Sequence, residues 1–286
     1  SGTVTGGNGG DGAIVFNTDV TNGNGGNGGD GISGAGISVI NSGTVTPGTG
    51  GAAGSGQAGK DGIAIHLLSS SSGNSLEIQK GSDIHGDVVA EGGDNVFILG
   101  GSQDESFSGT LSSTIDNASD YQGFQTYRKS GSSTWTLAAS YNNDWQIRGG
   151  TLEVGDSGVI ADTSTIDTGD ASGSGFLSYK QSVGTITTFG GLITGTGGLQ
   201  QVGKGTLVLT GNNEYVGGTT ISDGTLQIGD SGSTGSVVGS ISNSAQLVFK
   251  RNNVLNYGGV ISGTGSVVQT GTGTLVFSGD NDYVGV

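Results

Sequence analysis

The stretch GGLITGTGGLQQVGKGTLVLTGNNEYVGG, Gly190 to Gly218, returns as GGVISGTGSVVQTGTGTLVFSGDNDYVGV, Gly258 to Val286. The offset from Gly190 to Gly258 holds throughout without a gap, and 17 of the 28 positions from Gly190 to Gly217 are identical in the second copy. A diverged earlier copy begins at Arg128 as RKSGSSTWTLAASYNNDWQIRGGTLEVGDSG, and its end matches DGTLQIGDSG from Asp223. Arrays of this kind stack one supersecondary unit on the next, because a single unit cannot bury its apolar side alone. A period of this length divides into three windings of roughly 22 to 23 residues, each with three short strands and three turns, and it does not fit propeller blades of about 40 to 50 residues. We therefore expect an all-β chain folded as a parallel β-helix, a solenoid forming a single elongated domain. Residues 1–75 are expected to be glycine-rich N-terminal windings with loops, and residues 76–286 windings that carry the repeats. The last copy stops at Val286 part-way through the repeat, which suggests a piece of a longer chain.

Composition agrees. Of 286 residues 63 are glycine and one is proline, with no cysteine or methionine. Such glycine content suits a disordered linker only if periodicity and apolar runs are absent. Here β-branched runs recur between glycines, as in Ile14-Val15-Phe16, Ile37-Ser38-Val39-Ile40 and Val96-Phe97-Ile98-Leu99. Within the repeats, alternation assigns Leu207, Leu209, Leu226, Ile228, Leu247, Phe249, Leu275 and Phe277 to a filled interior, with glycines turning the corners. Twelve windings at the usual strand spacing would extend very roughly 60 Å.

The formal charge of −15, with nine scattered Lys and Arg, argues against a nucleic-acid partner and against an anionic membrane surface. No apolar stretch approaches the ~18 residues of a membrane span, and no charged-then-apolar leader opens the chain, so no membrane insertion by this segment is expected.

The run GTLVLTGNNEYVGGTTISDGTLQIG, preceded by GGLITGTGGLQQVGK, resembles the passenger-associated repeat of autotransporters, the type V secreted proteins of Gram-negative bacteria. LEIQKGSDIHGDVVAEGGDNVFILGGS from Leu76 is similar to passenger windings with less specific motifs. The resemblance implies a right-handed β-helical passenger, an outer-membrane β-barrel beyond the C-terminus, and extracellular display at the cell surface or release. It is most similar to AIDA-type adhesins, which implies a virulence-associated role in cell adhesion and partners on host cells, in matrix proteins or among glycans, with weak self-association.

Three motifs could carry chemistry. Gly155-Asp156-Ser157-Gly158 and Gly229-Asp230-Ser231-Gly232 spell the nucleophile motif of trypsin-like proteases, but both follow a strand at the same repeat position and read as polar turns, and the chain has only His66 and His85 to act as base. GGNGGDGAI from Gly6 and GGNGGDGIS from Gly25 fit the spacing of a calcium-binding nonapeptide, with Asp11 and Asp30 as ligands, and GQAGKDGIA is a near miss with Asp61. These copies are not in tandem, so tight Gly-Asp-Gly corners are the favoured reading and no cofactor is expected. The third is an aromatic segment, Tyr121, Phe124, Tyr127, Trp135, Tyr141 and Trp145, with Asp120 and Asp144 beside it. Tyr121, Tyr127, Tyr141, Trp145, Asp120 and Asp144 are the candidate carbohydrate-binding residues, since rings can stack on sugars while carboxylates accept their hydroxyls; inward packing of the rings is the competing reading. Acids at Asp104, Glu105, Asp162, Asp167 and Asp170 could pair as in β-helical polysaccharide-cleaving enzymes, although turn acids are expected. The sequence thus favours a non-enzymatic adhesive stalk acting by multivalent contact, with a toxin or host-signalling factor, a carbohydrate-active enzyme and a pure spacer as rivals.

Overall fold

The computed structural model describes residues 2–9, 25–53 and 56–285. Among the described residues every regular element is a β-strand of two to four residues. The ladders are parallel, apart from a tight hairpin that pairs Gly169–Asp170 with Gly173–Ser174. This is a parallel β-helix, the fold class expected from the repeat. The chain divides into two compact units: Ser1–Leu99 with Gly109–Thr126, and Gly100–Ser108 with Tyr127–Val286.

In the second unit, three strands of each winding feed three faces. On the first, Tyr127, Trp145, Ile166 and Ile193 stack in register. The second is a sheet of eight strands from Glu105–Phe107 to Ile261–Ser262. On the third, Leu207, Leu226, Leu247 and Val267 stack. Each of the three windings between them is shorter than the roughly 22 to 23 residues expected from the repeat. The interior assignments hold for Leu207, Leu209, Leu226, Ile228, Leu247 and Phe249, all at most 1% exposed, while Leu275 and Phe277 are half-buried. Val208 and Val248 are buried although they point outward. Each stands in the outer row Thr188, Val208, Gln227, Val248, Val268, where side chains on neighbouring strands lie close enough to cover it.

The first unit has windings of uneven length, the one from Thr3 to Thr44 being about twice as long as the one from Ser75 to Val96. Its strands form a five-stranded sheet containing Ile32–Ala35, Ile65–Leu68 and Val88–Ala90, together with parallel ladders through Val39, Leu76 and Phe97 and through Val4, Val45 and Ile84. Between them the glycine-rich stretches are neither strands nor corners. Gly6 and Gly9, Gly25, Gly28 and Gly31, Gly48 and Gly51, and Gly59 and Gly62 each donate their N–H to a carbonyl on a neighbouring segment. The spacing of three along each segment is that of an extended threefold chain, in which every third residue faces the same neighbour. A Cβ on Gly28 would lie 1.9 Å from the Gly48 carbonyl oxygen, and one on Gly59 1.9 Å from that of Gly26. Glycine is required here because backbone packs against backbone, not because the turns need positive φ. At Gly29-Asp30-Gly31 and Asp61-Gly62 the favoured expectation of tight corners is corrected accordingly, while Gly10-Asp11-Gly12 lies outside the described residues. By contrast Gly150 and Gly224, which open the strands Thr151–Val154 and Thr225–Ile228, do adopt φ of 61° and 63° and are corners as expected.

Candidate functional site

The aromatic candidates fill interiors. Tyr127, Tyr141 and Trp145 are buried in the second unit, where the Trp145 ring lies 5.9 Å from Tyr127 and 6.3 Å from Tyr141. Trp135 is also buried and donates its Nε1 hydrogen to the Gly100 carbonyl at 2.8 Å. In the first unit Phe124 is buried and the half-buried Tyr121 packs edge-on against Phe97 at 4.9 Å. Burial pushes the phenols of Tyr121 and Tyr127 up to about 12. The enclosed rings of Phe124, Tyr127, Trp135, Tyr141 and Trp145 pack inward, whereas the half-buried Tyr121 lines, with Asp120, a surface pocket of about 240 Å³.

The carboxylates expected beside those rings are employed in the scaffold. Asp144 Oδ1 accepts the Thr165 amide at 2.6 Å, and Asp120 Oδ2 accepts the Thr110 amide at 2.8 Å and its hydroxyl at 2.9 Å. The same device recurs: Asp104 accepts from Thr134, Asp156 from Ser182, and Asp162 from Gly190. A turn acid staples the first amide of a nearby segment, which would otherwise lack an acceptor. Asp167 and Asp170 converge instead on Arg148, whose Nη2 lies 2.5 Å and 3.0 Å from their Oδ2 atoms.

Of the calcium candidates, Asp11 lies outside the described residues. Asp30 accepts the Ile63 amide at 2.9 Å and sits 3.0 Å from His66 Nδ1, while His66 Nε2 is 3.0 Å from Glu91 Oε1. Asp61 accepts the Gly50 amide at 2.8 Å. Among the described residues no three His, Asp or Glu side chains are arranged to hold a metal ion. Burial alone would push the His66 imidazolium down, yet hydrogen bonds and charge from Glu91 and Asp30 outweigh it and raise His66 above the ordinary histidine value. Burial likewise works against the Asp30 carboxylate, but the Ile63 amide and His66 hold it below the usual carboxylate range.

The Gly-Asp-Ser-Gly segments are turns with structural partners. Asp156 receives both the amide and the hydroxyl of Ser182, Asp230 pairs with Lys250 at 2.8 Å, and Ser231 adopts a positive φ of 63°.

Sequence reasoning missed an outer surface on the eight-stranded face of the second unit. Thr136, Glu153, Ser178, Gln200, Thr220 and Ser242 stack in register as a continuous polar row. Beside it runs a groove of about 590 Å³ whose lining includes Glu153, Asp156, Lys180, Lys204 and Asp223. Glu153 is only 8% exposed, accepting from the Thr136 hydroxyl at 2.9 Å with Lys180 Nζ at 3.6 Å. Polar residues at alternate strand positions were a visible signal, but which strands abut was not.

The repeats share local chemistry as well as sequence. Asn213 Oδ1 accepts the Ile193 amide at 2.9 Å, and Asn281 Oδ1 accepts the Ile261 amide at 2.7 Å. A family model described as the passenger-associated transport repeat matches residues 128–154, 199–228 and 267–286. The chain is also similar to the Adhesin BmaC autotransporter of Brucella suis biovar 1 (strain 1330), with 31% identity over 220 residues, covering 66% of this chain and 6% of that protein. The chain therefore spans a small part of the length of this relative. No solved structure matches the chain.

Proposed function

We propose, from the premise that this chain is an autotransporter passenger segment carrying passenger-associated transport repeats, that it is an adhesive surface module that binds through many weak polar contacts along its outer faces. Such a passenger is exported to the bacterial cell surface. The observation that carries the reading is the polar row on the eight-stranded face, where Thr, Ser, Gln and Glu side chains repeat at the ~4.8 Å winding spacing. The row's own strands are hydrogen-bonded to one another, so a partner meets side chains: Thr220 and Ser242 are exposed and Thr136 and Gln200 half-exposed, while Glu153 and Ser178 are largely buried beneath their neighbours. Each contact contributes little, and multivalency between cells makes the sum large. The similarity to a protein named an adhesin supports the same reading.

Partners on this reading are host-cell surfaces, matrix proteins or glycans, with self-association as a second mode that drives aggregation and biofilm growth. A net charge of −15 means that two copies must match hydrogen bonds while keeping carboxylates apart, so self-association is weak and responds to salt. The test is to display the passenger on a non-adherent bacterium with surface exposure confirmed. Clumping, or attachment to host cells, matrix proteins or glycans, is the expected result. A displayed passenger that gives neither would leave a spacer or a toxin as the better reading.

A further inference from the structure

We propose that the groove beside Glu153 is a binding site for an extended, uncharged oligosaccharide. The proposal rests on the adhesive reading and assigns it one ligand class. The groove runs from the winding of Thr136, through those of Glu153, Lys180 and Lys204, to that of Asp223. Five windings at ~4.8 Å give it a length of about 19 Å, which suits a chain of several sugar rings rather than a compact metabolite.

Its chemistry narrows the ligand further. Three carboxylates, Glu153, Asp156 and Asp223, face two ammonium groups, Lys180 and Lys204, so the lining is slightly acidic within a strongly acidic chain. Sulfated glycans and nucleic acids need a surplus of positive charge and are disfavoured. Carboxylates that accept and ammonium groups that donate, lining one groove, match vicinal hydroxyls that do both; Asp156 is taken up by Ser182 through both oxygens, so Glu153 and Asp223 are the acceptors and Lys180 and Lys204 the donors. The short aliphatic side chains of Val183 and Val202 supply apolar contact for the C–H faces of sugar rings. An extended peptide is the weaker fit. Peptide capture along a sheet uses an open edge, whereas Glu153 and Thr136 lie on strands already paired within the face. Glu153 is also held in place before any ligand arrives, by Thr136 on one side and Lys180 on the other, so little side-chain freedom remains to be lost on binding.

The experiment is calorimetric titration of the whole 286-residue chain with cellotetraose, chitotetraose and a sulfated heparin tetrasaccharide. We expect saturable binding of at least one uncharged tetrasaccharide and none of the sulfated one. Glu153→Gln should weaken binding about tenfold through loss of a charged acceptor. Lys204→Ala, which removes an exposed side chain and leaves the fold untouched, should weaken it several-fold. Ser262→Ala, outside the groove, should change nothing. Absence of binding to either uncharged tetrasaccharide, preference for the sulfated one, equal binding by the wild type and Lys204→Ala, or displacement of a bound tetrasaccharide by unrelated peptides would each overturn the proposal. Cells displaying a passenger that still clumps while the purified chain binds no tetrasaccharide would reject the groove and leave adhesion standing. Tetrasaccharide binding by a passenger that never adheres would do the reverse.

Discussion

Leu207 and Leu275 hold the same position in two copies of the repeat, yet they lie on different faces: Leu207 stacks on Leu226, and Leu275 on Leu255. Three windings from Leu207 end at Val267, short of Leu275. Each repeat therefore opens one face further round than the last. The matched segment at 128–154 lays its strands Thr134–Leu137 and Thr151–Val154 on the second face, and the segment at 199–228 lays the corresponding strands Thr206–Leu209 and Thr225–Ile228 on the third. A surface feature of the repeat is thus distributed around the solenoid instead of forming one uniform stripe.

This register is testable because the chain has no cysteine of its own. Thr206→Cys with Thr225→Cys places two thiols on adjacent outer positions of the third face. A short bis-maleimide should cross-link that pair efficiently. Moving the second cysteine to Gly229, as windings of about 23 residues would demand, should abolish the product. Equal cross-linking of both pairs would contradict the winding length.

Leu209→Asp should destabilise the second unit by roughly 4 kcal/mol or more, because the carboxylate would enter a fully enclosed stack next to Phe189 and Ile228 without a partner. Urea unfolding followed by tryptophan fluorescence reports it, since both tryptophans belong to this unit. A change below about 1 kcal/mol, typical of a surface site, would refute the inward assignment.

The glycine bundle of the first unit predicts an asymmetry between neighbouring glycines. Gly28→Ala would put a methyl group 1.9 Å from the Gly48 carbonyl oxygen and should lower the melting temperature sharply, whereas a Cβ on Gly7 meets nothing within 4 Å and Gly7→Ala should be tolerated. Equal effects of the two would mean that the segments are not packed backbone to backbone.

The Asp30, His66, Glu91 bridge makes the first unit sensitive to pH. The folded pKa of His66 is raised, so its contribution is fully present below about 6.5 and is lost as pH rises through the folded value. The folded pKa of Asp30 is lowered, so its contribution is present above about 3.8 and is lost as pH falls through the folded value. The stability gap between the wild type and His66→Gln should therefore be widest near pH 5 and close by pH 9. A gap that widened on the alkaline side would exclude a protonated bridge.

Calcium should leave the melting temperature of Asp30→Asn and wild type equally unaffected, because Asp30 already serves Ile63 and His66. A saturable rise in the wild type, lost in Asp30→Asn, would show that the ion displaces this bridge.

Much of the fold was legible in the chain itself. Alternation in a strand has a strict period of two, so the inward identity of Leu207, Leu209, Leu226 and Ile228 follows from the local pattern, and a repeat with glycine at its corners calls for a stacked solenoid. The aromatic segment was legible only as a choice between an inward stack and a sugar platform. Its composition suits both, and only the enclosure of Trp145 and Tyr127 decides. For the glycine clusters a signal was present, in the spacing of Gly25, Gly28 and Gly31, but turn chemistry explains a single Gly-Asp-Gly segment equally well until four glycine-rich segments are seen side by side.

By itself, then, the sequence determined the solenoid, the strands and their inward residues, because those depend on neighbours one or two positions away. Tertiary structure alone decided which face each repeat occupies, which acids become staples, and that Glu153, Lys180 and Lys204 share one groove. Those outcomes depend on the accumulated length of every turn between distant strands. A residue gained or lost in a turn leaves the local pattern intact and moves everything beyond it along the winding.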